Sequence, residues 1–130
     1  MGWPLCGEID LVEHFGAVAD KIHVNVNTKT ANIADGNSPS TWLRVPQLAS
    51  DFHVYGLDWE TDRLDLTFDG QVVLSYHKTA DEPTQWPFGR PFELRLQLAL
   101  GGLREIGADV DEALLPQRLL VDYVRVYRRA

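Results

Sequence analysis

Three carboxylic acids fall within six residues near the start of the chain: Glu8, Asp10 and Glu13, in the run Gly7-Glu8-Ile9-Asp10-Leu11-Val12-Glu13. Side chains alternate along an extended strand, so Glu8 and Asp10 share a face while Glu13 has the opposite parity. One β-bulge between Asp10 and Glu13 inserts an extra residue and returns Glu13 to the same face. The intervening Ile9, Leu11 and Val12 are apolar and are expected to serve a core behind the strand. Three acids in a row repel one another, so a fold that keeps them needs a compensation or a use. Retaining glycoside hydrolysis is one such use. It needs two carboxyl groups about 5–5.5 Å apart, one a nucleophile and one an acid/base. Four strand positions span roughly 13 Å of backbone, so the two glutamates would have to lean together over a bound sugar. A middle aspartate can share a proton or hydrogen bond and keep the pair's titrations apart. The spacing alone also fits a solvated acidic face of a surface strand.

The remaining elements must position that row, and they read as short extended segments divided by turn residues. After Gly7 to Glu13, the run Ile22 to Val26 alternates, with Ile22, Val24 and Val26 on one face and His23, Asn25 and Asn27 on the other. Asn32 to Ser40 is a polar loop holding Asp35-Gly36-Asn37 and Pro39. Phe52 to Trp59 is aromatic-rich and reads as a strand buried on both faces. Leu64 to Phe68 and Gln71 to Tyr76 flank Asp69-Gly70, a pair suited to a two-residue type I′ hairpin turn. Glu82 to Pro91 is a proline-rich loop carrying Trp86. Phe92 to Leu100 alternates strictly and ends at Gly101-Gly102. A short helix is expected around Asp111 to Leu115, and a last strand over Leu119 to Tyr127. The pattern predicts an all-β, two-sheet antiparallel sandwich.

Composition narrows the partners. The chain has 130 residues, enough for one domain, and a formal net charge of -7 with no basic block. Neither nucleic acid nor an anionic membrane surface is therefore expected as a partner. No apolar run approaches the ~20 residues of a membrane span, and no basic-then-apolar leader opens the chain. The single cysteine, Cys6, excludes an internal disulfide and reads as a small buried hydrophobe. The four histidines show no metal-ligand spacing, so no metal and no cofactor is expected.

Beyond spacing, the run Trp3-Pro4-Leu5-Cys6-Gly7-Glu8-Ile9-Asp10-Leu11-Val12-Glu13 resembles the W-P-x-x-G-E-I-D-x-x-E signature of glycoside hydrolase family 16, the laminarinase-like β-jelly-roll enzymes. Three further stretches are similar in the same order: Phe52-His53-Val54-Tyr55-Gly56-Leu57-Asp58-Trp59, Trp86-Pro87-Phe88-Gly89-Arg90-Pro91-Phe92 and Val121-Asp122-Tyr123-Val124-Arg125-Val126-Tyr127. The resemblance covers nearly the whole chain. It implies Glu8 as nucleophile, Glu13 as acid/base and Asp10 as the assisting acid. The two-residue gap before Glu13 is the laminarinase, agarase and carrageenase form, which implies a β-1,3-glucan substrate. Trp3 and Trp86 are candidate cleft tryptophans, and His23, Asn25 and Gln97 lie on faces that in relatives line the concave sheet. Trp59 reads as core and Trp42 is undecided. Asp122 matches a residue that helps hold a structural calcium in relatives, whose other ligands come from segments this chain does not have.

The family's catalytic domain is longer and places several strands before the signature. Residues 1–130 are thus expected to form an incomplete family 16-like jelly-roll domain, and unpaired strand edges could join two copies as a homodimer. The resemblance implies an extracellular setting. Gln97 stands where the family usually has Asn, Asn27 where close relatives have His, Leu66-Thr67 in place of an aromatic pair, and Leu103-Arg104-Glu105 in place of a Trp- and Gly-bearing stretch. These departures bear on substrate contacts more than on the acids. A non-catalytic carbohydrate-binding protein on the same fold, or an inactive fragment, is the competing expectation.

Overall fold

The computed structural model describes residues 1–100 and 112–128. They divide into two compact units, Met1–Glu93 and Leu94–Ala130. The first unit carries all the sheet structure assigned among the described residues: β1 (Glu8–His14), β2 (Lys21–Asn27), β3 (Ser40–Arg44), β4 (Tyr55–Trp59), β5 (Arg63–Phe68) and β6 (Gln71–His77). Two antiparallel three-stranded sheets result, ordered β1-β2-β3 and β4-β5-β6.

The period-two alternation of β2 makes it the centre of the first sheet. Ile22, Val24 and Val26 are fully buried against Leu64 and Leu66 of β5, with Leu48, Trp86 and Phe88 completing the core. Branched side chains at every second position fit a pleated, half-buried surface. Ile9 and Leu11 of β1 pack against this cluster, whereas Val12 stands exposed at the bulge, which corrects the expectation that it serves the core.

The β5–β6 hairpin turns at Asp69-Gly70 as expected, with φ of 48° and 78°, the positive values that a type I′ turn demands. The Asp69 carboxylate accepts from the Val54 backbone N–H and from His53 Nδ1, each at 2.8 Å, tying the turn to the approach of β4. These donors hold the Asp69 carboxyl below its usual range.

Other expectations are corrected. The strand expected from Phe52 begins only at Tyr55 and is half-buried, with Phe52 itself exposed. Trp59, read as core, is half-exposed and donates from Nε1 to the Phe88 carbonyl at 3.2 Å. β3 lies at the end of what reads as a polar loop. Phe92 to Leu100, which starts in the first unit, and Leu119 to Tyr127 in the second carry no strand ladder among the described residues, and Leu94, Leu96 and Leu98 are exposed. Alternation marks which face of a segment is apolar, but a strand exists only with a hydrogen-bonded neighbour. One 3₁₀ turn spans Glu112–Leu114, inside the expected helix, and Arg125 lies over the Tyr123 ring at 4.1 Å. Gly101-Gly102, Leu103-Arg104-Glu105 and Asp111 lie outside the described residues.

Candidate active site

Pairing of β1 with β2 sets the site. The register matches Glu8 with Asn27, Asp10 with Asn25 and Glu13 with His23, and it shifts between Asp10 and Glu13. That shift is the bulge the spacing requires: Leu11 and Val12 occupy the place opposite Val24 alone. All three acids therefore share the sheet face opposite the core, each across from a polar side chain of β2.

Each acid meets its cross-strand partner. Asn27 donates from Nδ2 to Glu8 Oε2 at 2.9 Å and to Asp10 Oδ2 at 3.3 Å. Asn25 donates to Asp10 Oδ2 at 3.3 Å. His23 Nδ1 lies 2.8 Å from Glu13 Oε2. An ionised carboxylate only accepts, so against it Nδ1 carries the hydrogen. The amides are oriented from behind. Asn27 Oδ1 accepts from the Ile33 backbone N–H at 2.9 Å, and Asn25 Oδ1 accepts from Ser38 Oγ at 2.5 Å. The loop supplying both donors is held by its own bonds, including Asn32 Nδ2 to Asp35 Oδ2 at 2.8 Å. All of His23, Asn25 and Asn27 are buried. Their satisfied hydrogen bonds offset what burying polar groups would otherwise cost.

Backbone geometry places Glu8 at the start of the row. Gly7 has φ +76°, and a Cβ there would lie 2.5 Å from Pro87 Cγ and 3.1 Å from Phe92 Cζ. Only glycine fits both the conformation and the close approach. Trp3 folds over the same end and donates from Nε1 to Glu8 Oε2 at 2.8 Å, with its ring 46% exposed.

Crowding of the acids has an electrostatic consequence. Burial, then the neighbouring charges of Glu8 and Glu13, push the Asp10 carboxyl up to about 7, against an opposing pull from the Asn25 hydrogen bond. A proton on Asp10 near neutral pH relieves the middle of the row of a third negative charge.

The structure brings Trp3, His23 and Asn25 to the acids, but His23 and Asn25 do so as buried donors to carboxylates rather than as open sugar-facing groups. Trp86 is a correction. It is 7% exposed and stacks on Tyr76 at 5.7 Å within the core, where its apolar area is worth more than at a rim. Gln97 lies exposed in the second unit, apart from any ladder. Cys6 is half-buried and free. Asn27 and Trp42 were not among the sequence candidates. The parity that selects His23 and Asn25 also selects Asn27. Trp42 required recognition of β3, whose register sets it opposite His23. Among the described residues no group of three His, Cys, Asp or Glu is arranged to hold a metal ion, and no helix is long and apolar enough to cross a membrane.

The family model described as "Glycosyl hydrolases family 16" matches residues 3–124. The "Beta-glucanase" of Rhodothermus marinus is 37% identical over 97% of this chain and 46% of its own length. The "Keratan-sulfate endo-1,4-beta-galactosidase" of Sphingobacterium multivorum is 34% identical over 98% of this chain and 29% of its own length. Among solved structures, the laminarinase from Rhodothermus marinus superimposes with a TM-score of 0.61 at 32% identity, over 66% of this chain and 36% of that one. The chain thus spans about half the length, or less, of these relatives. Its sandwich is that of the jelly-roll laminarinases. With a match that runs from Trp3 through the acid row to Val124, the chain belongs to glycosyl hydrolases family 16.

Proposed function

We propose that this chain carries the catalytic acids of a retaining endo-glycoside hydrolase acting on a β-1,3-glucan. Glu8 is the nucleophile, Glu13 the acid/base and Asp10 the assisting acid. In the first step the Glu8 carboxylate forms a bond to the anomeric carbon while Glu13 gives its proton to the departing glycosidic oxygen. In the second, water attacks the anomeric carbon of the glycosyl-Glu8 ester, Glu13 takes the water's proton, and the bond from that carbon to Glu8 breaks, so that Glu8 leaves as carboxylate. Both steps need Glu8 ionised and oriented, and Glu13 able to change protonation state.

The observation that carries the reading is the register-matched pairing of three acids with three β2 side chains across the bulge. A solvated acidic strand would have no call for amides that are buried and anchored from behind by Ile33 and Ser38. Trp3 and Asn27 each donate a hydrogen bond to Glu8 Oε2 and so fix the direction of that carboxylate. The glucan assignment rests on the two-residue gap before Glu13 and on the beta-glucanase and laminarinase relatives.

Reducing-sugar release from laminarin tests the proposal. Glu8→Gln and Glu13→Gln should each lower it by at least about 10²–10⁴-fold, the range carried by a positioned acid or base. Release that survives Glu8→Gln rules out the nucleophile assignment. Tight binding without any release by the unaltered chain would favour a carbohydrate-binding protein on this fold.

A further inference from the structure

Trp42 of β3 stands across from His23, with ring centroids 4.8 Å apart and planes tilted by 31°. His23 in turn holds Glu13. Phe15 flanks the same indole at 6.2 Å and 44°. Yet Trp42 is 48% exposed, on the sheet face that carries the acids and not the one that carries the core. Its neighbours on β3, Thr41 and Leu43, face the other way, opposite Val24 and Ile22. A large aromatic side chain kept open on a polar face, and braced by two other rings, is a prepared contact surface and not core packing.

Its place along the acid row gives it a direction. Trp3 covers the Glu8 end, whereas Trp42 meets the row through His23 at the Glu13 end. In a double displacement the acid/base stands on the side of the leaving group, because it protonates the departing oxygen. We propose that Trp42 is the stacking platform for the glucosyl residue on the leaving-group side of the cleaved bond. The flat C–H face of a pyranose meets the indole face there, while its glycosidic oxygen reaches Glu13. This deepens the hydrolase reading and rests on Glu13 being its acid/base. The same surface receives an acceptor sugar when the glycosyl intermediate is transferred to sugar in place of water.

The test has a binding arm and a turnover arm. In the Glu8→Gln chain, calorimetric titration with laminarihexaose should show an affinity about tenfold weaker when Trp42→Ala is added, with a smaller loss for Trp42→Phe, which keeps a ring. In the otherwise unaltered chain, Trp42→Ala should raise KM for laminarin more than it lowers kcat. With excess laminaribiose as acceptor it should also reduce transfer relative to hydrolysis. Circular dichroism melts of both Trp42 variants check that the sheet persists. Hydrolysis with unchanged affinity, KM and transfer ratio in a folded Trp42→Ala variant would overturn the platform and leave the hydrolase reading intact. Trp42-dependent binding by a chain that releases no sugar would sink the hydrolase reading while retaining Trp42 as a sugar contact. Absence of binding by the Glu8→Gln chain together with absence of release would overturn both.

Discussion

Asn27 clamps Glu8. Its Nδ2 donates to Glu8 Oε2 at 2.9 Å, while its Oδ1 is fixed by the Ile33 backbone N–H at 2.9 Å. The second bond decides which way the amide points, so donor and acceptor cannot exchange without losing both. Asn27→Leu keeps side-chain volume and removes every one of these bonds. It takes the acceptor from the part-buried Ile33 N–H and one of its two donors from Glu8, at a cost of about 1–3 kcal/mol to stability for the lost hydrogen bonds. Denaturant unfolding should show that loss. Laminarin hydrolysis should fall about 10–100-fold, mainly in kcat, since the proposed nucleophile is what loosens. An unchanged kcat would show that Trp3 alone orients Glu8.

Asp10 makes stability depend on pH in an unusual direction for a carboxylate. Its folded pKa, about 7, lies above the ordinary value of 3.8. Below the ordinary value both folded and unfolded chains hold the proton, and no penalty arises. As pH rises from there, the unfolded chain gives up its proton while the folded one retains it until about 7, so this group progressively weakens folding and does so in full above 7. Asp10→Asn removes the penalty and keeps the shape. Its melting temperature relative to the unaltered chain should therefore be higher at pH 8 than at pH 4. A difference that is flat with pH, or that falls, would contradict the raised value. If Asp10 is the assisting acid proposed above, hydrolysis should drop in the same variant, because an amide has no carboxyl proton to share.

Much of this site is legible in the sequence, and the reasons differ by residue. The bulge follows from parity alone, since Glu8, Asp10 and Glu13 cannot share a strand face without one. The Asp69-Gly70 hairpin follows from the backbone angles that few residue pairs accept. The role of His23 and Asn25 is only half legible. Alternation puts them on the acid side, but whether a polar group there faces a ligand or a neighbouring carboxylate depends on strand register, which the turn and bulge set together. Trp86 shows the reverse failure. A tryptophan in a proline-rich loop suggests an open rim, yet the loop folds inward, and stacking on Tyr76 buries the ring. β3 is hidden because five residues give too little alternation to separate a strand from a loop end. The alternating Leu94, Leu96 and Leu98 specify an apolar face without specifying what pairs beside it.

Gly7 joins the fold to the site. Its φ of +76° is disfavoured for any residue with a Cβ, and Pro87 and Phe92 close the space a methyl would occupy. Gly7→Ala must displace the Pro87–Phe88 turn or tilt the start of β1. Either should cost more than about 1 kcal/mol of stability. Because Glu8 is the next residue, activity should fall by more than the lost folded fraction explains. Activity per folded molecule that matches the unaltered chain would show that β1 absorbs the change without moving Glu8.

His23→Phe separates positioning from packing. Phenylalanine keeps a ring between Glu13 and Trp42, so the stack at 4.8 Å can persist, while the 2.8 Å bond to Glu13 is lost. Glu13 is then held by fewer contacts and swings more freely, and in the proposed role of acid/base a misplaced carboxyl loses much of its effect. Removal of a part-buried hydrogen bond to a charged group is worth about 1.5–3 kcal/mol, or roughly 10–100-fold in rate. The deficit should depend on the leaving group. It should be large for laminarin, whose sugar oxygen departs only when protonated, and small for the first step on an aryl oligoglucoside with a strongly acidic phenol. His23→Asn, which retains a donor on a shorter side chain, should recover part of the laminarin rate. A deficit of equal size on both substrates, with no recovery by asparagine, would mean that His23 supports the sheet and does not position Glu13.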